Sequence, residues 1–161
     1  MQTPRLDEID RRVLDVLQAD GRISNVKLAE RLHLSPSAAL RRHKALERTG
    51  AIDHYQAVLN RSVVGLGLTI FVDVKVSAHS ADCAAAVEAA VETIPEVVSC
   101  HIVSGEADFL MEVVVPDLAA YERVLLDTLL RLPNVSDVRS NFAIRTLKAH
   151  GPLPLGYLEA T

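Results

Sequence analysis

Between residues 70 and 147 one order of residues occurs twice at a spacing of 38: Phe71 and Phe109, Ile94-Pro95 and Leu132-Pro133, Val97 and Val135. The repeated unit is strand, helix, Pro-x-Val, strand. In the first copy Ile70, Val72, Val74 and Val76 alternate with Phe71, Asp73 and Lys75, the period of two that puts successive side chains on opposite faces of a strand. The spacing predicts a helix from about Ala81 to Thr93, with Val87, Val91 and Ile94 on one side. The second copy predicts a strand from Phe109 to Val115 and an Asp117-capped helix with Leu118, Tyr121, Leu125, Leu129 and Leu132 inward. A strand from Val135 to Leu147 closes it. Two such units in tandem make βαββαβ, a ferredoxin-like sheet.

This topology has a consequence for assembly. Right-handed crossovers place both helices on one face of the sheet, so the other face, with its share of apolar strand residues, is left uncovered. A second copy of the same sheet is the simplest cover, and the expectation is a homodimer.

The region before the repeat is helical. Leu6, Ile9, Val13, Val16 and Leu17 fall on one face of a helix that Asp7 can cap, with Asp10 as its acidic third residue. A second helix starts after Ser24 and carries Leu28, Ala29 and Leu32. A third is capped by Ser35, opens with Pro36 and stops at Gly50, which can take the left-handed conformation just past the end. Two short amphipathic helices joined by a tight turn, preceded by a third, form a helix-turn-helix head. The fold class is therefore α+β, with an N-terminal three-helix domain over residues 1–60, including a short strand or extended linker from Ile52 to Leu59, and a ferredoxin-like domain over 61–161.

The third helix divides its faces by charge. At about 100° per residue, Ala39, His43 and Leu46 lie on one side and Ser37, Arg41, Lys44 and Arg48 on the other. From Ser35 to Gly50 four cationic residues face one acid, Glu47, in a chain of net charge −4. Residues 1–61 hold 11 Lys and Arg against 8 Asp and Glu, a net of +3, while the remainder holds 6 against 13, a net of −7. Phosphate attraction needs only such a local patch. Double-stranded DNA is the expected partner, met by Ser35, Ser37, Arg41, Arg42, Lys44 and Arg48; Arg42 serves equally as a salt bridge within the head. In a dimer, two heads related by a two-fold axis would meet half-sites about one helical turn apart, roughly 34 Å, or a multiple of it. No apolar run approaches the roughly 20 residues of a membrane span, and Cys83 and Cys100 are too few for a disulfide framework, so reduced thiols in a cytoplasmic protein are expected.

The chain resembles the Lrp/AsnC family of transcription regulators from about Leu6 to Leu155. The resemblance is carried by Leu6-Asp-Glu-Ile-Asp, Asp20-Gly-Arg-Ile-Ser-Asn, Leu28-Ala-Glu-Arg-Leu, Leu34-Ser-Pro-Ser with Arg41-Arg and Leu46-Glu, and Tyr55-Gln-Ala. It continues through Gly65-Leu-Gly, Val103-Ser-Gly-Glu-Ala-Asp, Val115-Pro-Asp-Leu-Ala-Ala-Tyr-Glu and Leu153-Pro-Leu, in unbroken order. It implies a DNA-binding head joined to a regulatory domain that dimerises, in the family often assembles to octamers, and binds an amino acid at subunit interfaces. One departure is His43, where the family usually has Val or Ile; a histidine there reads as a packed side chain with a hydrogen-bond partner at the core edge, or as a pH-responsive group.

For the effector, Ser104-Gly105-Glu106-Ala107-Asp108 is the segment with suitable chemistry. Gly105 permits a tight turn whose backbone N–H groups can hold a carboxylate, and Asp108 can receive an ammonium. Ordinary hairpin chemistry, with Asp108 bonding turn N–H groups, explains the same residues. The resemblance implies an amino-acid pocket built around this turn; Ser140 and Asn141 on the last strand are weaker candidates to close it from a neighbouring subunit, and Ile102, Leu110 and Met111 nearby would favour an apolar or aromatic ligand side chain. Two other classes compete. An effector-independent architectural DNA-binding protein keeps the head and discards the pocket. A small ferredoxin-like enzyme would use His101, Glu106 and Asp108, but no nucleophile–base spacing or metal motif accompanies them, so no catalytic residue, metal or cofactor is assigned.

Overall fold

The computed structural model describes residues 6–77, 81–149 and 151–157. The chain forms two compact units, one from residues up to Val58 together with the segment from Lys148 onward, the other from Leu59–Leu147.

The first unit contains α1 (Glu8–Ala19), α2 (Asn25–Leu32) and α3 (Pro36–Arg48). Each start follows from a side chain that answers unpaired backbone donors. Asp7 and Asp10 form a reciprocal capping box, Asp10 N–H donating to Asp7 at 2.8 Å and Asp7 N–H to Asp10 at 3.2 Å. Ser24 Oγ accepts from Lys27 N–H and Ser35 Oγ from Ala38 N–H. The turn between α2 and α3 runs through His33, which adopts the left-handed conformation at φ 56°, and Gly50 at φ +72° releases the chain from α3. Val13, Leu14, Leu17, Ile23, Leu28, Ala29, Leu32, Ala39 and Leu46 form the core. Leu155 packs against this core as well, and Gln18 on α1 holds Leu153 by two hydrogen bonds: Leu153 N–H donates to its Oε1 at 2.6 Å and its Nε2 donates to the Leu153 carbonyl at 3.3 Å. Residues from Lys148 thus group with the head and not with the ferredoxin-like domain expected over 61–161, because a polar side chain and one leucine hold them there. Ile52–Leu59 forms no strand within the described chain.

The second unit contains β1 (Leu68–Val76), α4 (Ala81–Val91), β2 (Val97–Ile102), β3 (Phe109–Val115), α5 (Leu118–Asp127), a short 3-10 turn at Leu129–Arg131, and β4 (Val135–Phe142). The sheet order is β2-β3-β1-β4, antiparallel throughout, as two tandem βαβ units require. Ile70, Val72 and Val74 on β1 and Phe109, Met111, Val113 and Val115 on β3 pack with Val87 of α4 and Tyr121 and Val124 of α5, so both helices cover one face. Two boundaries differ from the sequence reading. β4 stops at Phe142, with one further bond from the Ala143 N–H to the Thr69 carbonyl, and does not run on to Leu147. Leu118, expected inward, is 63% exposed at the first turn of α5, while Tyr121, Leu129 and Leu132 are buried.

The opposite face carries Phe71, Asp73 and Lys75 of β1, Leu110 and Glu112 of β3, and Asp137, Arg139 and Asn141 of β4, aligned by register. It is more polar than its expected share of apolar residues. Phe71 is 41% exposed, and the turn before β1 lays Arg61 across this face, donating to Glu112 at 2.7 Å and to Thr69 at 3.1 Å. Cys100 is a free thiol whose pKa is pushed up by burial and by the Glu88 carboxylate; the side chain of Cys83 lies outside the described residues. Among the described residues no helix is long and apolar enough to cross a membrane.

Candidate DNA-binding face and effector cavity

The outer face of α3 is built by the phase of the helix. Ala39 and Leu46 are buried against α1 and α2, which fixes the rotation and turns Arg41, Lys44 and Arg48 outward. These three line a shallow depression together with Glu47. Arg41 and Lys44 make no ion pair among the described residues, whereas Arg48 bonds the Lys44 carbonyl at 3.3 Å. Ser35 and Ser37 are exposed at the N-terminal end of α3 with their hydroxyls 3.2 Å apart. Backbone N–H groups and hydroxyls at a helix start are ready partners for a phosphate.

Arg42, one residue and about 100° from Arg41, points the other way. Its Nη1 donates to Asp7 and to Asp10, each at 2.7 Å. Burial opposes ionisation of Asp7, but the Asp10 N–H and the Arg42 guanidinium together hold its carboxyl below the usual range. The capping box of α1 therefore doubles as the anchor for α3. His43 is a packed residue with partners on both nitrogens: Nδ1 lies 3.1 Å from Asn25 Oδ1 and Nε2 lies 2.5 Å from the Tyr55 hydroxyl. The Tyr55 hydroxyl also reaches Glu47 at 3.3 Å. A Cβ on Gly21 would come within 3.2 Å of the Tyr55 ring, so the first linker residues are seated in the head.

In the second unit, a cavity of about 420 Å³ opens on the uncovered sheet face. It is lined by Asp73 and Lys75 of β1, by Val103, Ser104, Glu106 and Ala107 between β2 and β3, by Leu110 of β3 and by Asp137 and Arg139 of β4. Arg139 bridges the cavity, donating to Glu106 at 2.9 Å and lying 3.3 Å from Asp137; these two carboxylates hold its guanidinium firmly protonated. Asn141 Nδ2 donates to Asp73 at 2.9 Å.

Of the expected effector residues, Ser104 and Glu106 line the cavity and Gly105 lies between them at φ +126°, a conformation that favours glycine. Asp108 is used by the sheet: its Oδ2 accepts the Val76 N–H at 2.8 Å. Asn141 reaches the cavity edge through Asp73, but Ser140 faces the helices, where its hydroxyl meets that of Tyr121 at 2.5 Å. Adjacent strand residues cannot share a face. Leu110 lines the cavity, whereas Met111 is buried in the core. Asp73, Lys75, Asp137 and Arg139 escaped the sequence reading. Their signal was a run of polar residues in phase on β1 and β4, legible only once the two strands are put in register.

A helix-turn-helix with an outward basic face, joined to a ferredoxin-like unit with a charged cavity, defines a DNA-binding regulator with a ligand-binding module. Residues 6–47 match the AsnC-type helix-turn-helix domain and residues 69–153 the Lrp/AsnC ligand binding domain. The chain is 43% identical over 143 residues to the leucine-responsive regulatory proteins of Salmonella typhimurium and Escherichia coli K12, covering 89% of this chain and 87% of theirs. Among solved structures, a transcriptional regulator from Neisseria meningitidis in complex with L-Met superposes with TM-score 0.91 at 40% identity, over 96% of this chain and 99% of that one. An AsnC family regulator from Agrobacterium tumefaciens gives 0.90 at 33% identity, over 96% and 100%. The protein belongs to the Lrp/AsnC family of transcription regulators.

Proposed function

We propose that this regulator reads operator DNA with the outer face of α3 and that an amino acid bound at the open-face cavity changes its operator affinity. The observation that carries the DNA half is the pair Arg41 and Lys44, exposed and in no ion pair among the described residues, in a chain that is acidic overall. Arg41 and Lys44 enter the groove, Arg48, Ser35 and Ser37 meet phosphates, and Arg42 is committed to the head. The effector half rests on the cavity's paired charges and on the L-Met complex of the Neisseria relative. Arg139 offers a cation to a carboxylate, and Asp73 and Asp137 offer anions to an ammonium. The Ser104–Ala107 turn forms its rim.

The working form is a homodimer that assembles further, to an octamer in the family pattern, in the cytoplasm. Phe71 and Leu110 on the open face support this, since a second sheet laid there removes them from water and brings a second wall to the cavity. Light scattering at micromolar concentration should give no monomer. The effector is tested by thermal stabilisation with an amino-acid panel, with and without operator. A ligand stabilises only the state it binds, and an effector that changes operator affinity must be changed in its own affinity by the same factor. If no amino acid at millimolar concentration alters stability, assembly or operator affinity, the protein is an architectural DNA binder.

A further inference from the structure

The tail from Lys148 has a place in the head that the DNA-reading role of α3 does not explain. Leu153 is held at both its backbone groups by one side chain, Gln18, and two residues later Leu155 is packed on the core formed by α1, α2 and α3. The intervening Pro154 fixes its own φ and so keeps the two anchors in register, and a 3-10 turn at Leu155–Tyr157 follows. The primary amide of Gln18 satisfies a donor and an acceptor of the same residue, the pattern by which a strand partner is recognised. It does so from the last turn of α1. The opposite end of α1 is the end tied to α3, through Asp7, Asp10 and Arg42.

We infer that the tail is a positioning element of the DNA-binding head: by clamping the C-terminal turn of α1 it fixes the helix whose N-terminal turn holds α3 in its reading orientation. Gln18 and Leu155 are the positioning residues. They touch no DNA, and they set how well Arg41 and Lys44 are aimed. This inference rests on α3 being the reading helix.

The test uses the full chain carrying Gln18→Ala and Leu155→Ala together, a duplex recovered by in vitro selection with the wild-type protein, and anisotropy titrations over a range of salt. Two lost hydrogen bonds and one truncated leucine should weaken specific binding by about tenfold. The slope of log affinity against log salt should stay at its wild-type value, because no phosphate contact has been removed. Amide hydrogen exchange should quicken in α1 and α3 and stay unchanged in β1 and β3. Gln18→Glu keeps the acceptor for Leu153 N–H and loses the donor, so it should fall between wild type and the double variant; it serves also if the double variant folds poorly. Tyr157→Ala, at a side chain 88% exposed, should bind as wild type does. Operator affinity within twofold of wild type, with unchanged exchange in α1, would overturn the inference while leaving α3 as the reader. Wild-type protein without salt-dependent operator binding would instead remove the DNA reading itself.

Discussion

Replacing Arg42 by alanine separates an internal brace from a DNA contact. The guanidinium makes two charge-assisted hydrogen bonds of 2.7 Å, to Asp10 and to Asp7, and the three side chains are 26%, 18% and 46% exposed for Arg42, Asp10 and Asp7. Such bonds contribute about 1.5–3 kcal/mol when well shielded, and an exposed ion pair about 0–1. The better-shielded Asp10 bond is then worth about 1–2 kcal/mol and the Asp7 bond about half of one after screening. The sum, about 2 kcal/mol, corresponds to a fall in the head's thermal midpoint on the order of 10 °C for a unit of this size. Asp10→Ala also breaks the capping box, so the pair alone is isolated by a double-mutant cycle with Arg42→Ala, whose coupling should be about 1–2 kcal/mol. Operator titrations complete the assay: Arg42→Ala should leave the salt slope unchanged, since no phosphate loses a partner. A coupling under about 0.5 kcal/mol, together with a salt slope reduced by about 0.9, would refute the argument and return Arg42 to the DNA.

Three further outcomes follow from the same geometry. Arg41→Ala should cost about 1–3 kcal/mol of specific binding and relax base preference, while Arg48→Ala should weaken all duplexes alike and lower the salt slope by about 0.9; competition against random duplex checks both. Asp108→Ala should destabilise the second unit by about 1–3 kcal/mol in chemical denaturation, because the Val76 N–H loses its acceptor, and a variant as stable as wild type would contradict that sheet role. Asp7 has a folded-state pKa below its ordinary 3.8, so its contribution is fully present above that value and is lost as pH falls through the lower folded one. Head unfolding followed from pH 5 downward should show this loss in wild type and a smaller one in Asp7→Asn.

The helix starts and the sheet order were legible because each is written in local signals. Asp7, Ser24 and Ser35-Pro36 announce helices by cap chemistry, and a 38-residue repeat with strand and helix periods leaves one simple topology. The cavity was half legible, since its turn contains a glycine and acids in sequence. Its walls were not, because Asp73 and Arg139 become neighbours only through the β1–β4 register. Ser140 and Asn141 could not both face one cavity, and period two alone would have separated them. Arg41 and Arg42 look alike in sequence; what parts them is two aspartates on another helix. The seat of the tail was invisible, since Gln18 and Leu153 are 135 residues apart and neither belongs to a periodic pattern.

The division of the head into segments lying on either side of the second unit also sets an order of events during synthesis. Residues 6–58 leave the ribosome first, yet Gln18 and the core beside it wait for Leu153 and Leu155 until all of Leu59–Leu147 has been made. The sensing unit is local in sequence and can fold as it emerges; the DNA-reading unit reaches its final packing only afterwards. A nascent chain therefore exposes α3 before the residues that complete the packing beside α1 have been made.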